Sequence, residues 1–163
     1  MADVVSWISG GAALGSLVVA GMAYRFSRTT RIQAEQRDER LNKRDLFLSL
    51  HERLCTPGQI WGRRIIRDQV ATLDDARRLR SSNSEEGRAA AGSIGMLNTL
   101  GLYVKRGYVD LDLVLAEWGH VLAEVDKQAR FVIEASSVNG RLPFPHFQDL
   151  ATEAVKWVGQ HAR

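Results

Sequence analysis

The chain begins with an apolar segment and continues with a series of amphipathic ones. No charged side chain occurs from Val4 to Tyr24, and a helix of this length spans about 31 Å, enough for the hydrocarbon core of a bilayer. Arg25, Arg28 and Arg31 follow the segment, whereas no lysine or arginine precedes it. A secretion signal starts with positive charges, and arginines beside a membrane helix stay in the cytoplasm. The pattern therefore predicts a single-pass inner-membrane anchor over residues 1–27, with its N-terminus outside and the remaining chain cytoplasmic.

Two glycines lie at helical spacing inside the predicted anchor. Gly11 and Gly15 form a GxxxG pattern, which lets two membrane helices approach closely. They are therefore candidates for helix pairing and self-association. Small residues are also common in membrane helices that do not pair, so the sequence leaves both interpretations open.

The basic charge of the chain is concentrated beside the predicted membrane surface. Between Arg25 and Arg44 there are seven basic and three acidic residues, whereas the whole chain has a net charge of +3. The rest of the chain is therefore close to neutral. This distribution favours contact between Arg25, Arg28 and Arg31 and anionic lipid headgroups, and it makes nucleic acid an unlikely partner. Residues 28–45, with few apolar positions, are predicted to form a charged helical stalk.

From residue 46 onward, apolar residues recur at helical spacing and no alternating strand pattern of useful length appears. Breaker-rich stretches separate the periodic segments, above all 81–87 and 136–146. The expected helices are 46–54, a second one from Trp61 to about Val70, 88–105, 111–135 and 147–160. Residues 72–80 either continue the second helix or form a separate turn. The predicted fold is all-α, with 46–163 forming a small bundle of four or five helices.

Few residues in this bundle suggest chemistry. The single cysteine, Cys55, excludes an intramolecular disulfide framework and a cysteine-built zinc site. Glu117 and His120 have the spacing of one half of a di-iron site, but no second Glu-x-x-His occurs. His120 and Glu124 could provide only two ligands for a metal ion. We therefore expect neither a metal nor a cofactor.

One pattern suggests an enzyme. Arg44, Asp45 and His51 resemble the Arg-polar-x(4–6)-His signature of HEPN ribonucleases, which are all-α and usually act as dimers. The spacing places Arg44 and His51 on one face of a helix, where an imidazole could move protons beside a cation that holds phosphate. A chain with 22 lysines and arginines produces such a match easily by chance. The ribonuclease is therefore kept as the enzymatic alternative.

A second basic group occurs within the predicted bundle. Arg63, Arg64 and Arg67 follow Trp61 on one predicted helix, and arginine and tryptophan are frequent at protein interfaces. The three arginines are a possible docking face. They could equally contact anionic lipid or nucleic acid.

The stretch from Met96 to Gly119 resembles a family of uncharacterised bacterial membrane-anchored helical proteins, known as a domain of unknown function. The resemblance would cover about 46–154, and the residues that carry it are Leu97, Asn98, Gly101, Gly107, Asp110, Trp118 and Arg130. It implies the fold and the topology, and no catalytic residue. Independently of the family, Gly107 suits a left-handed turn, Asp110 suits a helix N-cap and Trp118 suits a core position.

Together these patterns favour a non-enzymatic protein. We expect a membrane-tethered helical interaction module, or an accessory subunit of a membrane complex, that binds a protein partner or a second copy of itself. The alternatives are the ribonuclease that would use Arg44 and His51, and a basic module that contacts lipid or nucleic acid.

Overall fold

A computed structural model describes residues 41–82 and 84–161. These residues form six helices, which we name α1 (41–54), α2 (Pro57–Gln69), α3 (Leu73–Ser81), α4 (Glu85–Lys105), α5 (Leu111–Ala135) and α6 (Pro145–His161). They contain no β-strand, and an isolated bridge pairs Val138 with Arg141 in the loop before α6. The prediction of an all-α fold is confirmed.

The predicted anchor over 1–27, the pairing glycines Gly11 and Gly15, and most of the stalk lie outside the described residues. So do Arg25, Arg28 and Arg31. Within the described ranges, no helix combines the length and the apolar character that crossing a membrane requires. Residues Lys43–Arg163 form one compact unit.

Four of the helices make a closed ring in the order α2, α4, α6 and α5, and each packs mainly against its two neighbours. Successive contacts show that α2 and α4 are antiparallel, as Gln59 lies near Ser93 and Gly62 near Ala89. The helices α4 and α5 follow each other in the chain but lie diagonally across the ring with little contact. α3 packs against α5 and α4. α1 lies beside the N-terminal half of α5, where Lys43 pairs with Asp110.

The bundle surrounds a continuous apolar core. Each helix contributes the face that its spacing predicted, for example Phe47, Leu50 and Leu54 from α1. Trp61 is 36% exposed, although it lies on the apolar spacing of its helix, four residues before Ile65. Its helix buries Gly62, Ile65 and Ile66, and at about 100° per residue Trp61 lies at the edge of the face that these three residues form.

Several helix starts differ from the predictions. α2 begins at Pro57, four residues before the predicted Trp61, because a proline suits the first position of a helix. At two other starts, side chains cap the helix. Residues Leu73–Ser81 form a separate helix because Thr72 and Asp75 make a capping box. α4 starts at Glu85, three residues before the predicted start, because the Ser84 hydroxyl accepts a hydrogen bond from the Gly87 amide. The described bundle thus has six helices rather than four or five. The predicted bounds of α5 are confirmed.

The turn between α4 and α5 follows the expected pattern. Gly107 has a φ of +71°, the left-handed conformation in which glycine is least strained. Asp110 occupies the N-cap position of α5, but its side chain makes no capping hydrogen bond. It lies instead 3.7 Å from the Lys43 ammonium group.

Candidate functional site

A shallow groove lies between α2 and α5, on the surface that carries the predicted docking arginines. It has a volume of about 210 Å³, and its lining residues are Ile60, Arg63, Arg64, Arg67, Val121, Glu124 and Val125. The three valine and isoleucine side chains form its apolar part, while three arginines and one glutamate supply its charge. Ile60 is 44% exposed at the edge of the groove.

The structure brings the three arginines to one groove but gives them different surroundings. Arg63 is half-buried, and its Nη1 donates a hydrogen bond to the carbonyl oxygen of Leu54 at 3.0 Å. Its guanidinium group lies 5.2 Å from the centre of a Trp118 ring, a cation–π distance. Burial lowers the pKa of Arg63, and attraction to Cys55 partly offsets this. Arg63 therefore joins α1, α2 and α5 and is less available for docking than a surface arginine.

Arg64 and Arg67 are exposed, one helical turn apart. Arg67 donates from Nε to Asp68 at 2.8 Å, and its Nη1 lies 3.8 Å from the Glu124 carboxylate. These ion pairs face water and hold the side chain only weakly. Arg64 and Arg67 thus form a positive rim beside the apolar part of the groove.

A wider groove, about 610 Å³, lies between α5 and α6. Its charged lining combines Glu124 and Asp126 with Lys127 and Arg130, so opposite charges balance. Val155 at its edge is exposed. This groove could accept a mixed surface, but its charge selects no particular class of partner.

The structure places His51 in a cluster at the C-terminal end of α1. The Trp118 indole Nε1 donates a hydrogen bond to His51 Nδ1 at 3.3 Å, and Cys55 Sγ lies 3.5 Å from His51 Nε2. The Glu117 carboxylate is 4.0 Å from Nδ1. Arg44, the other residue of the ribonuclease hypothesis, is exposed two turns earlier on α1. Both ring nitrogens of His51 thus already have neighbours.

His120 and Glu124, the pair that could provide two ligands for a metal ion, are exposed on the surface of α5. His120 meets the ring of Trp157 edge-on at 5.7 Å. Among the residues that the structure describes, no group of three or more histidine, cysteine, aspartate or glutamate side chains is placed to hold a metal ion.

Two features of these sites are missed by the sequence patterns. In the sequence, the single Cys55 served only to exclude a disulfide framework and a cysteine-built zinc site, although its i, i+4 spacing from His51 could have predicted their contact on a helix. The core position expected for Trp118 is confirmed, but its hydrogen bond to His51 was not anticipated. That bond joins residues 67 positions apart, which no local spacing reveals.

Comparison with protein-family models, with curated proteins and with solved structures found no match to this chain. The resemblance to a family of membrane-anchored helical proteins therefore stays a prediction.

Proposed function

We propose that this protein is a membrane-tethered, non-enzymatic interaction module whose groove between α2 and α5 binds an acidic amphipathic segment of a partner protein. The observation that carries the proposal is the combination in that groove of an exposed apolar edge, Ile60, with the arginine rim of Arg64 and Arg67. The predicted anchor over 1–27 would hold the bundle at the membrane face.

The size of the groove supports a peptide segment as its occupant. A volume of about 210 Å³ is below the roughly 300–1,000 Å³ that is usual for small-molecule sites. It suffices for one or two side chains from a docked helix, whose other residues would lie along the surface. Trp61 is on the same helix and is 36% exposed, so a docked segment could also cover this apolar ring.

The charge of the groove favours an acidic occupant. Three arginines line it against the carboxylate of Glu124, and Asp68 pairs with Arg67 at its rim, which still leaves a positive balance. Complementary charge increases the rate of association and excludes partners of the same sign. The neutral balance of the groove between α5 and α6 gives no such preference, and for that reason we assign the docking function to the groove between α2 and α5.

The test is a binding measurement with the full chain in an uncharged detergent. The probe is a fluorescent amphipathic peptide built from leucine and glutamate, and the variant is R64E/R67E. We expect affinity to fall at least about tenfold, because like charges then face each other across the groove. The control variant K127E/R130E makes the same charge change in the other groove and should bind the peptide like the unmodified protein.

Three outcomes would contradict the proposal. The first is equal loss of peptide binding in both variants, which would indicate a general effect of net charge. The second is binding to vesicles of anionic phospholipid, lost in R64E/R67E, without binding to the peptide, which would make the arginine rim a lipid contact. The third is RNA cleavage that disappears in R44A and in H51A, which would favour the ribonuclease.

A further inference from the structure

The groove between α5 and α6 extends along most of the exposed side of α5. A second depression, of about 420 Å³, adjoins the wider one and shares Asp126 and Arg130 with it. Together the two follow α5 from His120 to Glu134, which is about 21 Å at the rise of an α-helix. We call the residues that line both depressions the α5–α6 face. It is a separate surface from the docking groove between α2 and α5, although Glu124 borders both.

All of the charged side chains on this face come from α5. Glu124 already pairs with Arg67 at 3.8 Å. Within the part of the chain that the structure describes, the other four side chains form no hydrogen bond and no ion pair. They are two carboxylates and two cations, Asp126, Glu134, Lys127 and Arg130. The face therefore carries unpaired charges of both signs in equal number.

Asp126 is a partly buried carboxylate without an ion pair in the described bundle. In a single copy, burial raises the pKa of Asp126, and the charge of Arg130 offsets this only in part. The Arg130 guanidinium group lies instead 4.8 Å from the centre of the Phe131 ring. A partly buried charge gains more from a partner than an exposed one, because salt screens it less. A cation from another molecule would thus make a favourable contact at Asp126.

Apolar side chains flank these charges at both ends of the face. Val155 on α6 is 49% exposed at one end, and Leu142 in the loop before α6 is 51% exposed at the other. A surface with balanced charges does not repel its own copy, whereas the arginine rim of the docking groove would. Two copies related by a twofold axis use the same patch of surface, which must therefore complement itself.

The positions of the charges along α5 meet this requirement. Asp126 and Arg130 are one helical turn apart and line both depressions beside α6. A twofold axis across α5, midway between them, sets two α5 helices antiparallel and keeps the α6 sides of the two copies together. Asp126 of each copy then lies opposite Arg130 of the second copy, which gives two contacts. Lys127 and Glu134 lie further from α6 and add one charge of each sign, so they cause no net repulsion.

We propose that the α5–α6 face binds a second copy of this chain, with the two α5 helices antiparallel and Asp126 of each copy in contact with Arg130 of the other. Pairing gives the partly buried carboxylate a counter-charge and covers the apolar flanks. The predicted pairing of the anchors through Gly11 and Gly15 would raise the local concentration of the bundles, so that even a weak contact would be populated. The proposal does not depend on the docking of an acidic segment, because the two use different faces.

The experiment measures the dissociation constant between two copies of the full chain in an uncharged detergent. Cys55 is the single cysteine, so each copy takes one donor or one acceptor dye, and energy transfer reports association. The variants are D126R and R130D. Each variant by itself sets like charges against each other at both contacts, whereas a mixture of the two restores opposite charges at both.

We expect D126R and R130D, each by itself, to associate at least about tenfold more weakly than the unmodified chain, because like charges across an interface are unfavourable. The mixture of D126R with R130D should return to within about threefold of the unmodified dissociation constant. D74R and R77D provide the matched control, since they reverse the charges of an exposed ion pair on α3. Both should associate like the unmodified chain.

Restoration in the mixture separates this contact from pairing of the anchors, which is the same in every combination. The proposal is overturned if the unmodified chain does not associate, if all variants associate equally, or if the mixture is no tighter than R130D alone. If D126R does not unfold cooperatively, D126N takes its place, because a mixture with R130D then keeps one contact between opposite charges and none between like charges. That mixture should still associate more tightly than R130D alone, and its failure to do so would equally overturn the proposal.

Discussion

At the scale of single residues, Asp126 shows how burial changes a charge. This side chain lies partly buried in the groove between α5 and α6. Burial raises the pKa of Asp126, and the positive charge of Arg130 partly offsets the rise. The folded protein therefore holds the proton more tightly than the unfolded chain does, and the ionised carboxylate destabilises the fold.

The D126N variant should accordingly be more stable than the unmodified protein at neutral pH. As pH falls through the raised pKa of Asp126, the carboxyl group becomes neutral in the folded state, and the advantage of the amide should disappear. Urea unfolding at neutral and at acidic pH measures both effects.

A matched control comes from the same helix. Asp112 lies in the first turn of α5, where a negative charge is favourable beside the helix N-terminus. D112N should therefore destabilise the protein at neutral pH, by a few tenths of a kcal/mol to about 1 kcal/mol. A stabilising effect from both substitutions would show that burial of Asp126 is not the cause.

At the scale of elements, the start of α3 depends on one side chain. The Thr72 hydroxyl accepts a hydrogen bond from the Asp75 amide, and the Asp75 carboxylate accepts one from the Thr72 amide at 2.9 Å. These bonds satisfy amides that a nine-residue helix would otherwise leave unpaired at its first turn. The Thr72 hydroxyl also donates a hydrogen bond to Asp75 Oδ2 at 2.7 Å, and this bond is the main cause that lowers the pKa of Asp75, with a further contribution from the hydrogen bond of Arg78.

Replacement of this threonine should destabilise the protein by about 1 kcal/mol in T72A, because the first turn of α3 loses its cap. Thr56 offers the matched comparison, since it is the N-cap residue of α2 but its side chain makes no capping hydrogen bond. T56A should therefore change the free energy of unfolding by less than T72A. Urea unfolding of the two variants decides the point, and equal losses would exclude the capping box as the source of stability.

At the scale of the whole molecule, the ring of helices depends on close backbone contact between α4 and α6. A Cβ at Gly101 would overlap the carbonyl oxygen of His146, because the two backbones touch at this point. Nearby, the side-chain oxygen of Asn98 accepts hydrogen bonds from the amides of His146 and Phe147, at 3.0 and 3.2 Å. α4 thus provides both the space for α6 and a cap for its first turn.

Alanine substitutions of Gly101 and Gly92 should therefore separate the effect of packing on stability from the effect of helix propensity. G101A should lower the free energy of unfolding by about 2 kcal/mol, because the added methyl group forces α4 and α6 apart. Gly92 lies on the same helix, and an added methyl group there would have no neighbouring atom within 4 Å, so G92A should raise stability by up to about 1 kcal/mol. Urea unfolding of the two variants measures both changes. If both substitutions stabilise the protein, the contact at Gly101 is looser than the structure indicates.

The sequence by itself determined the helical class, the bounds of α5 and most of the core, because helical spacing of apolar residues such as Leu50 and Leu54 depends only on local order along the chain. It also located the turn at Gly107, where one backbone conformation needs glycine. The start of a separate helix at Leu73 was left open, and the start at Glu85 was predicted three residues too late. The capping residues Thr72 and Ser84 nevertheless precede the two starts directly. The apolar spacing around these two positions is too weak to show where a helix begins, because hydrogen bonds between side chains and the nearby backbone decide the start.

Only the tertiary structure decided which distant residues meet. It placed Trp118 against His51, and it turned Arg63 inward while Arg64 stayed at the surface. These outcomes depend on how α1, α2 and α5 pack, and periodicity within one helix carries no information about the partner helix or its register. The candidate sites are built from such contacts, and for this reason they appeared in the folded bundle and not in the sequence pattern.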